Sequence, residues 1–144
     1  MAVTYTNNWK NIADQLKNIF AKEFGRSLSV YVGEGEYADN QFVKIIPISN
    51  EVIERYAKGE SREYSFQINY NLRDPNINQN AITTMLRILS RIESVIGNNR
   101  AFTLADSSTI IHGRLINYEI LDSEDELQYI VELDYRCIHL GNTA

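Results

Sequence analysis

Residues 62–72 read REYSFQINYNL, and over this stretch large apolar and polar side chains alternate. Tyr64, Phe66, Ile68, Tyr70 and Leu72 fall on one side, Ser65, Gln67, Asn69 and Asn71 on the other. A period of two is that of a strand with one buried face, and no helix accommodates it. Such a face needs a cover, so the rest of the chain must supply elements to pack on it. The opposite face is also unusual. Solvated strand faces commonly carry Lys, Glu and Thr, whereas this one is neutral and rich in amides. It has three candidate environments: water, a neighbouring molecule, or the wall of a pore.

Two segments have the periodicity of a cover. In residues 8–24, Trp9, Ile12, Ala13, Leu16, Ile19 and Phe20 recur at i, i+3, i+4 spacing, the mark of a one-sided amphipathic helix. Thr6, Asn7 or Asn8 can cap its start, and Gly25 stands where a helix-ending glycine belongs. Residues 79–97 repeat the pattern with Ile82, Met85, Leu86, Leu89, Ile92, Val95 and Ile96, and Gly97 closes the run.

The remaining strands are expected at 28–32 (LSVYV), 42–48 (FVKIIPI), 110–121 (IIHGRLINYEIL) and 127–139 (LQYIVELDYRCIH), with a possible short strand at 101–104. Pro47 suggests an edge or a strand terminus, because proline cannot donate to a ladder. Residues 49–61 read either as one or two helical turns or as a long hairpin arm. The expected order is α-β-β-β-α-β-β. It implies an α+β two-layer sandwich, a largely antiparallel sheet with both helices on one face, in a single domain spanning residues 1–144. A chain of this length buries roughly 68–70% of its unfolded surface, enough for one core.

Composition narrows the function. The net charge is −5 and the pI about 5.0, which argues against binding nucleic acid through phosphate neutralisation. The single cysteine, Cys137, permits no internal disulfide and no cysteine cluster, and its place in a strand pattern makes it a small core residue. No apolar run approaches a membrane span, and the N-terminus MAVTYTNNWK lacks the pattern of a signal peptide. These features point to a reducing cytoplasm.

Catalytic and ligand-binding motifs are thin. His112 and His139 lie in expected strands without a second ligand at metal spacing. GEGEYA at 33–38 lacks the third glycine and the Lys-Ser/Thr ending of a phosphate loop, and Glu34 and Glu36 would repel a phosphate. DSEDE at 122–126 lacks the length and glycine of a calcium loop and reads as a solvated hairpin tip. Arg87 and Arg91 form too small a basic stripe for nucleic acid and read as a solvated helix face. The strand aromatics read as core rather than as a base-stacking platform. No catalytic, cofactor or metal residue is assigned, and no enzyme activity is expected.

Taken together, the glycine-terminated N-terminal helix, FVKIIPI leading through SNEVIERYAKGESRE into YSFQINYNL, the long helix NAITTMLRILSRIESVIGN, and the closing strands GRLINYEIL and ELQYIVELDYRCIHLG form a pattern over residues 8–140. That pattern resembles the tail terminator (tail completion) proteins of long-tailed bacteriophages. The resemblance implies a structural virion protein without cofactor. Its subunits would assemble into a hexameric ring that caps the tail tube, ends tube polymerisation and joins the tail to the neck or connector. DNA would pass through the pore without specific binding. It also implies location in the virion tail or neck, reached from the host cytoplasm, with no membrane. The loops GEGEYADNQ and DSEDE do not match the family's pattern.

Two groups of residues follow as candidates. Ser65, Gln67, Asn69 and Asn71, with Glu51, Arg55, Lys58 and Glu60 from the long connection, are candidates for an inter-subunit or lumen-facing surface. Thirteen connecting residues exceed what a tight hairpin needs, so this segment is free to reach a neighbour. Glu34, Glu36, Asp39, Asp122, Glu124, Asp125 and Glu126 are candidates for an acidic pore or docking rim. Another neck, head-closure or tube component, and a small ligand-binding α+β domain, remain as alternatives.

Overall fold

The computed structural model describes residues 7–25, 28–33, 41–56, 59–73, 79–123 and 128–142. Helix α1 (Asn8–Phe24) is followed by β1 (Ser29–Val32), β2 (Gln41–Tyr56) and β3 (Gly59–Arg73), then α2 (Gln79–Asn98), and finally β4 (Phe102–Thr103), β5 (Thr109–Ser123) and β6 (Gln128–Asn142). At the start of α1 the Asn7 side chain accepts from the Lys10 backbone N–H, satisfying one of the free donors there. At its end Gly25 takes φ 58° and returns its own N–H to the carbonyl of Ala21. Of the three expected caps, Asn7 is therefore the one used.

The six strands form one sheet in the order β1-β2-β3-β6-β5-β4. β1 lies parallel to β2 and all other pairs are antiparallel. The architecture is α+β with a mixed sheet, and the short sixth strand falls within residues 101–104. The expectation of a simple two-layer sandwich is corrected, because the sheet curls into a half-barrel. The cause is in the ladders. β2 breaks register against β3 between Pro47 and Ser49 and between Val52 and Glu54, and β5 breaks register against β6 between Ile111 and Arg114 and between Leu115 and Asn117. Each added residue bends and twists its strand locally.

Residues 49–61 resolve as the hairpin arm rather than as helical turns: β2 continues to Tyr56 and pairs back onto β3 as far as Gly59. Pro47 sits within β2, not at its end. β1 pairs no further than Ile45, so the missing N–H falls where the outer side of β2 has no strand among the described residues.

The core lies between the helices and one face of the sheet. Tyr64, Phe66, Ile68, Tyr70 and Leu72 are all buried there, with Phe66, Ile68 and Tyr70 fully so. α1 contributes Ile12, Ala13, Leu16, Phe20 and Phe24, and α2 contributes Met85, Ile88, Leu89, Ile92, Val95 and Ile96. Trp9 packs edge-on against Tyr64 and Phe66, at 4.8 and 5.3 Å between ring centres. Cys137 is fully buried in this core, and burial pushes its thiol up to about 12. Arg91 does not face solvent alone. Its guanidinium lies 4.5 Å over the Phe24 ring and reaches Glu23, tying α2 to α1. Two expected members of the apolar stripe of α2, Ile82 and Leu86, stand outside the core at 37% and 50% exposure.

Candidate functional site on the polar face of the sheet

The face opposite the helices is built by alternation along four long strands. Composing the three ladders gives rows that cross the sheet. Lys44, Asn69, Glu132 and Glu119 stand in one row, and Ile46, Gln67, Asp134 and Asn117 in the next. Ser49, Ser65, Arg136 and Arg114 form a third, followed by Glu51, Glu63, Ile138 and Ile111. Two rows therefore oppose like charges across β5 and β6, Glu119 with Glu132 and Arg114 with Arg136. Glu51 likewise opposes Glu63 across β2 and β3. Direct like-charge opposition costs stability unless another group bridges it.

For the arginines such a bridge exists. Glu63 accepts from Arg114 at 3.0 Å and lies 3.7 Å from Arg136, which also reaches Asp134 at 3.4 Å. For the glutamates the help is weaker: the Gln67 amide donates to Glu132 at 3.3 Å. The face is thus a banded pattern of carboxylates, amides and guanidiniums. These pairs are partly exposed, so each contributes at most about 1 kcal/mol.

A cavity of about 290 Å³ opens on this face, lined by Ile48 and Ser49 of β2, Ser65 and Gln67 of β3, Asn117 and Glu119 of β5, and Glu132, Asp134 and Arg136 of β6. β2 and β5 flank the central pair, so their shared lining shows that the sheet curves around this side. On this curved face Asn69 and Asn71 are 8% and 3% exposed although no helix among the described residues covers them. The Asn69 Oδ1 and Arg136 Nε atoms are buried without a protein partner.

The sequence-derived candidates divide. Ser65, Gln67, Asn69 and Asn71 share this face, and Glu51 joins it. Arg55 and Glu60 pair with each other across the end of the hairpin, at 3.7 Å, on the opposite side of the sheet. Lys58 lies outside the described residues, as do Glu34, Glu36, Asp39, Glu124, Asp125 and Glu126. Asp122 stands at the end of β5, opposite Tyr129. Sequence reasoning missed Glu63, Arg114, Asn117, Glu119, Glu132, Asp134 and Arg136. Their signal was present as the polar positions of alternating strands, but only the register brings them beside Gln67.

A second constellation, Asp106, Ser108 and His139, contains the residue types of a hydrolase. His139 Nε2 lies 3.0 Å from Ser108 Oγ, and that hydroxyl is also bonded to the Asp106 carboxylate. The serine proton is committed to the carboxylate, so the imidazole donates to the serine instead of accepting from it. This order lacks the base that would activate a nucleophile. Burial lowers the His139 pKa, with the Asp106 charge pulling the other way, and the Ser108 bonds hold Asp106 below its usual value. The three residues act as a clasp between β6 and the turn before β5. Among the described residues no cluster of His, Cys, Asp and Glu has the arrangement of a metal site, and no helix is long and apolar enough to cross a membrane.

No protein-family model and no curated protein matches this chain. Solved structures do. The fold is similar to that of a chain in the virion of a native gene transfer agent particle, with 13% identity, a TM-score of 0.55 and 90% of each chain covered. A second solved chain aligns with 11% identity and a TM-score of 0.58 over 89% of this chain and 94% of its own length. At such identities the likeness is one of fold, extending over nearly the whole length in both cases.

Proposed function

We propose that this chain is a structural protein of a phage-like virion, and specifically a tail terminator. Its subunits form a hexameric ring that ends the tail tube and joins it to the neck. The observation that carries the reading is the near full-length fold likeness to a chain of a gene transfer agent virion, which agrees in class with the resemblance seen in the sequence. Two further features support it. A ring of identical subunits needs two different sticky surfaces on opposite sides of each subunit, and the outer edges of β2 and β5 offer such a pair. The polar face is rich in carboxylates and amides, which would let DNA slide past without holding it, whereas a basic lining would retain it.

On this reading the protein has no catalytic role and needs no cofactor. Its partners are further copies of itself, the tail tube protein and the neck or connector protein. It is made in the host cytoplasm and ends in the virion tail or neck.

The test is the native mass of the purified chain, alone and with tail tubes, combined with negative-stain microscopy. A terminator yields discrete rings seated on tube ends and shortens the distribution of tube lengths. Long polymers of the chain alone would instead assign it to the tube, and binding to the connector without any effect on tube length would assign it to head closure.

A further inference from the structure

β5 pairs with β4 only at Thr109 and Ile110, so from Ile111 onward its outer edge faces no strand among the described residues. Along that edge Ile116, Tyr118, Ile120 and Leu121 are exposed at 46%, 47%, 44% and 37%. α2 extends the same patch. Ile82, Leu86 and Glu93 recur at four and seven residues and so lie along one stripe of the helix. Glu93 and Tyr118 line the same cavity, which puts that stripe on the β5 side. A long apolar edge of this kind invites uncontrolled strand pairing unless a partner covers it.

The opposite side of the sheet carries a matching surface. Past Ile45 the outer edge of β2 likewise faces no strand among the described residues, and the two residues that its bulges push outward are Ile48 and Ile53, 58% and 50% exposed. Glu51 and Glu54 flank Ile53, are exposed, and enter no ion pair among the described residues. On the β5–α2 side the exposed Arg87 and Arg100 are in the same position, and Arg100 borders the cavity that Tyr118 lines. One edge thus carries unpaired carboxylates beside projecting isoleucines, and the other carries unpaired guanidiniums beside an apolar patch, a complementary pair of surfaces.

We propose that the β2 edge of one copy packs Ile48 and Ile53 against the β5–α2 patch of the next, with Glu51 and Glu54 meeting Arg87 and Arg100. The occupant is another β2 edge rather than another β5, because a twofold β5 contact would bring the arginines of both copies together. β2 and β5 run antiparallel, so copies related by rotation keep the alternation of strand directions across the contact. Pro47 and the two bulges blunt β2 as a hydrogen-bonding edge, so side chains rather than a continuous ladder make the contact. This inference rests on the ring reading and names the surfaces that close the ring.

The test joins Ile53→Cys and Ile120→Cys in one chain and treats the assembled protein with a short bis-maleimide, the buried Cys137 being shielded. The expected result is a ladder of covalent oligomers from the double variant and monomers from each single variant. Dimers from Ile120→Cys alone would mean a twofold β5 contact and would overturn the proposal. In parallel, Glu54→Arg should raise the concentration needed for assembly at least tenfold, and adding Arg100→Glu should recover part of that loss. Rings that form without either effect would overturn this interface and leave the ring reading standing. A wild-type chain that stays monomeric even with tail tubes would overturn the ring reading itself.

Discussion

Gly113 shows how closely β5 is held to its surroundings. A Cβ built there would stand 2.6 Å from the Tyr135 hydroxyl oxygen and 3.3 Å from the Arg100 carbonyl oxygen, to which the Gly113 N–H donates at 2.8 Å. The backbone bond prevents retreat, so Gly113→Ala should destabilise by about 1–3 kcal/mol. The Tyr135 hydroxyl is itself buried without a partner. Tyr135→Phe should therefore be near neutral alone and should rescue much of the Gly113→Ala loss, read from urea midpoints of the two single variants and the double. Equal losses in the presence and absence of the hydroxyl would contradict this account.

His139 gives a pH dependence whose sign follows from burial. Its folded pKa lies below the 6.5 of a free imidazole, so the unfolded chain takes up a proton first as pH falls. Stability from this group is complete above 6.5 and declines as pH drops through that value toward the folded pKa. Asp106, lowered from 3.8, adds a further loss only at still lower pH. Urea midpoints measured from about pH 7.5 to 5.5 should fall, and His139→Gln should flatten that slope.

Among the elements, α1 is the most legible in the sequence, since its apolar spacing, its cap and its terminating glycine all agree. Asn7→Ala should cost about 1 kcal/mol in thermal or chemical denaturation, because the Lys10 N–H loses its acceptor. The strands were legible in kind but short in length: FVKIIPI and the connection after it form one strand, because pairing to β3 overrides the weak local signal of Asn50–Arg55. The cross-strand rows carry a prediction of their own. Glu119→Gln relieves its opposition to Glu132 and should stabilise the fold by about 0.2–1 kcal/mol. A gain of that kind, coupled to weaker assembly or impaired DNA passage, would mark the carboxylate as retained for function.

For the whole molecule, the half-barrel has, among the described residues, one polar concave face and two apolar edges that no strand covers, and assembly would use all three. Removing both bulged isoleucines, as Ile48→Ser with Ile53→Ser, should leave the fold intact by circular dichroism, since both side chains are more than half or about half exposed. The same variant should shift the native mass toward the monomer.

The sequence alone determined the two helices, the alternating core of β3, the burial of Cys137 and the α+β class, because each is written in a local period or a local cap. It also separated the neutral face of Ser65, Gln67, Asn69 and Asn71 from the core face. Register, curl and exposure were decided by tertiary structure. Ladder partners up to 65 residues apart, as Gln67 and Glu132 are, leave no local trace. The bulges that bend the sheet arise from pairing two strands of unequal count. Ile82, Leu86, Tyr118 and Ile120 fit a buried pattern by period, and only the reach of the helices over the curled sheet leaves them bare.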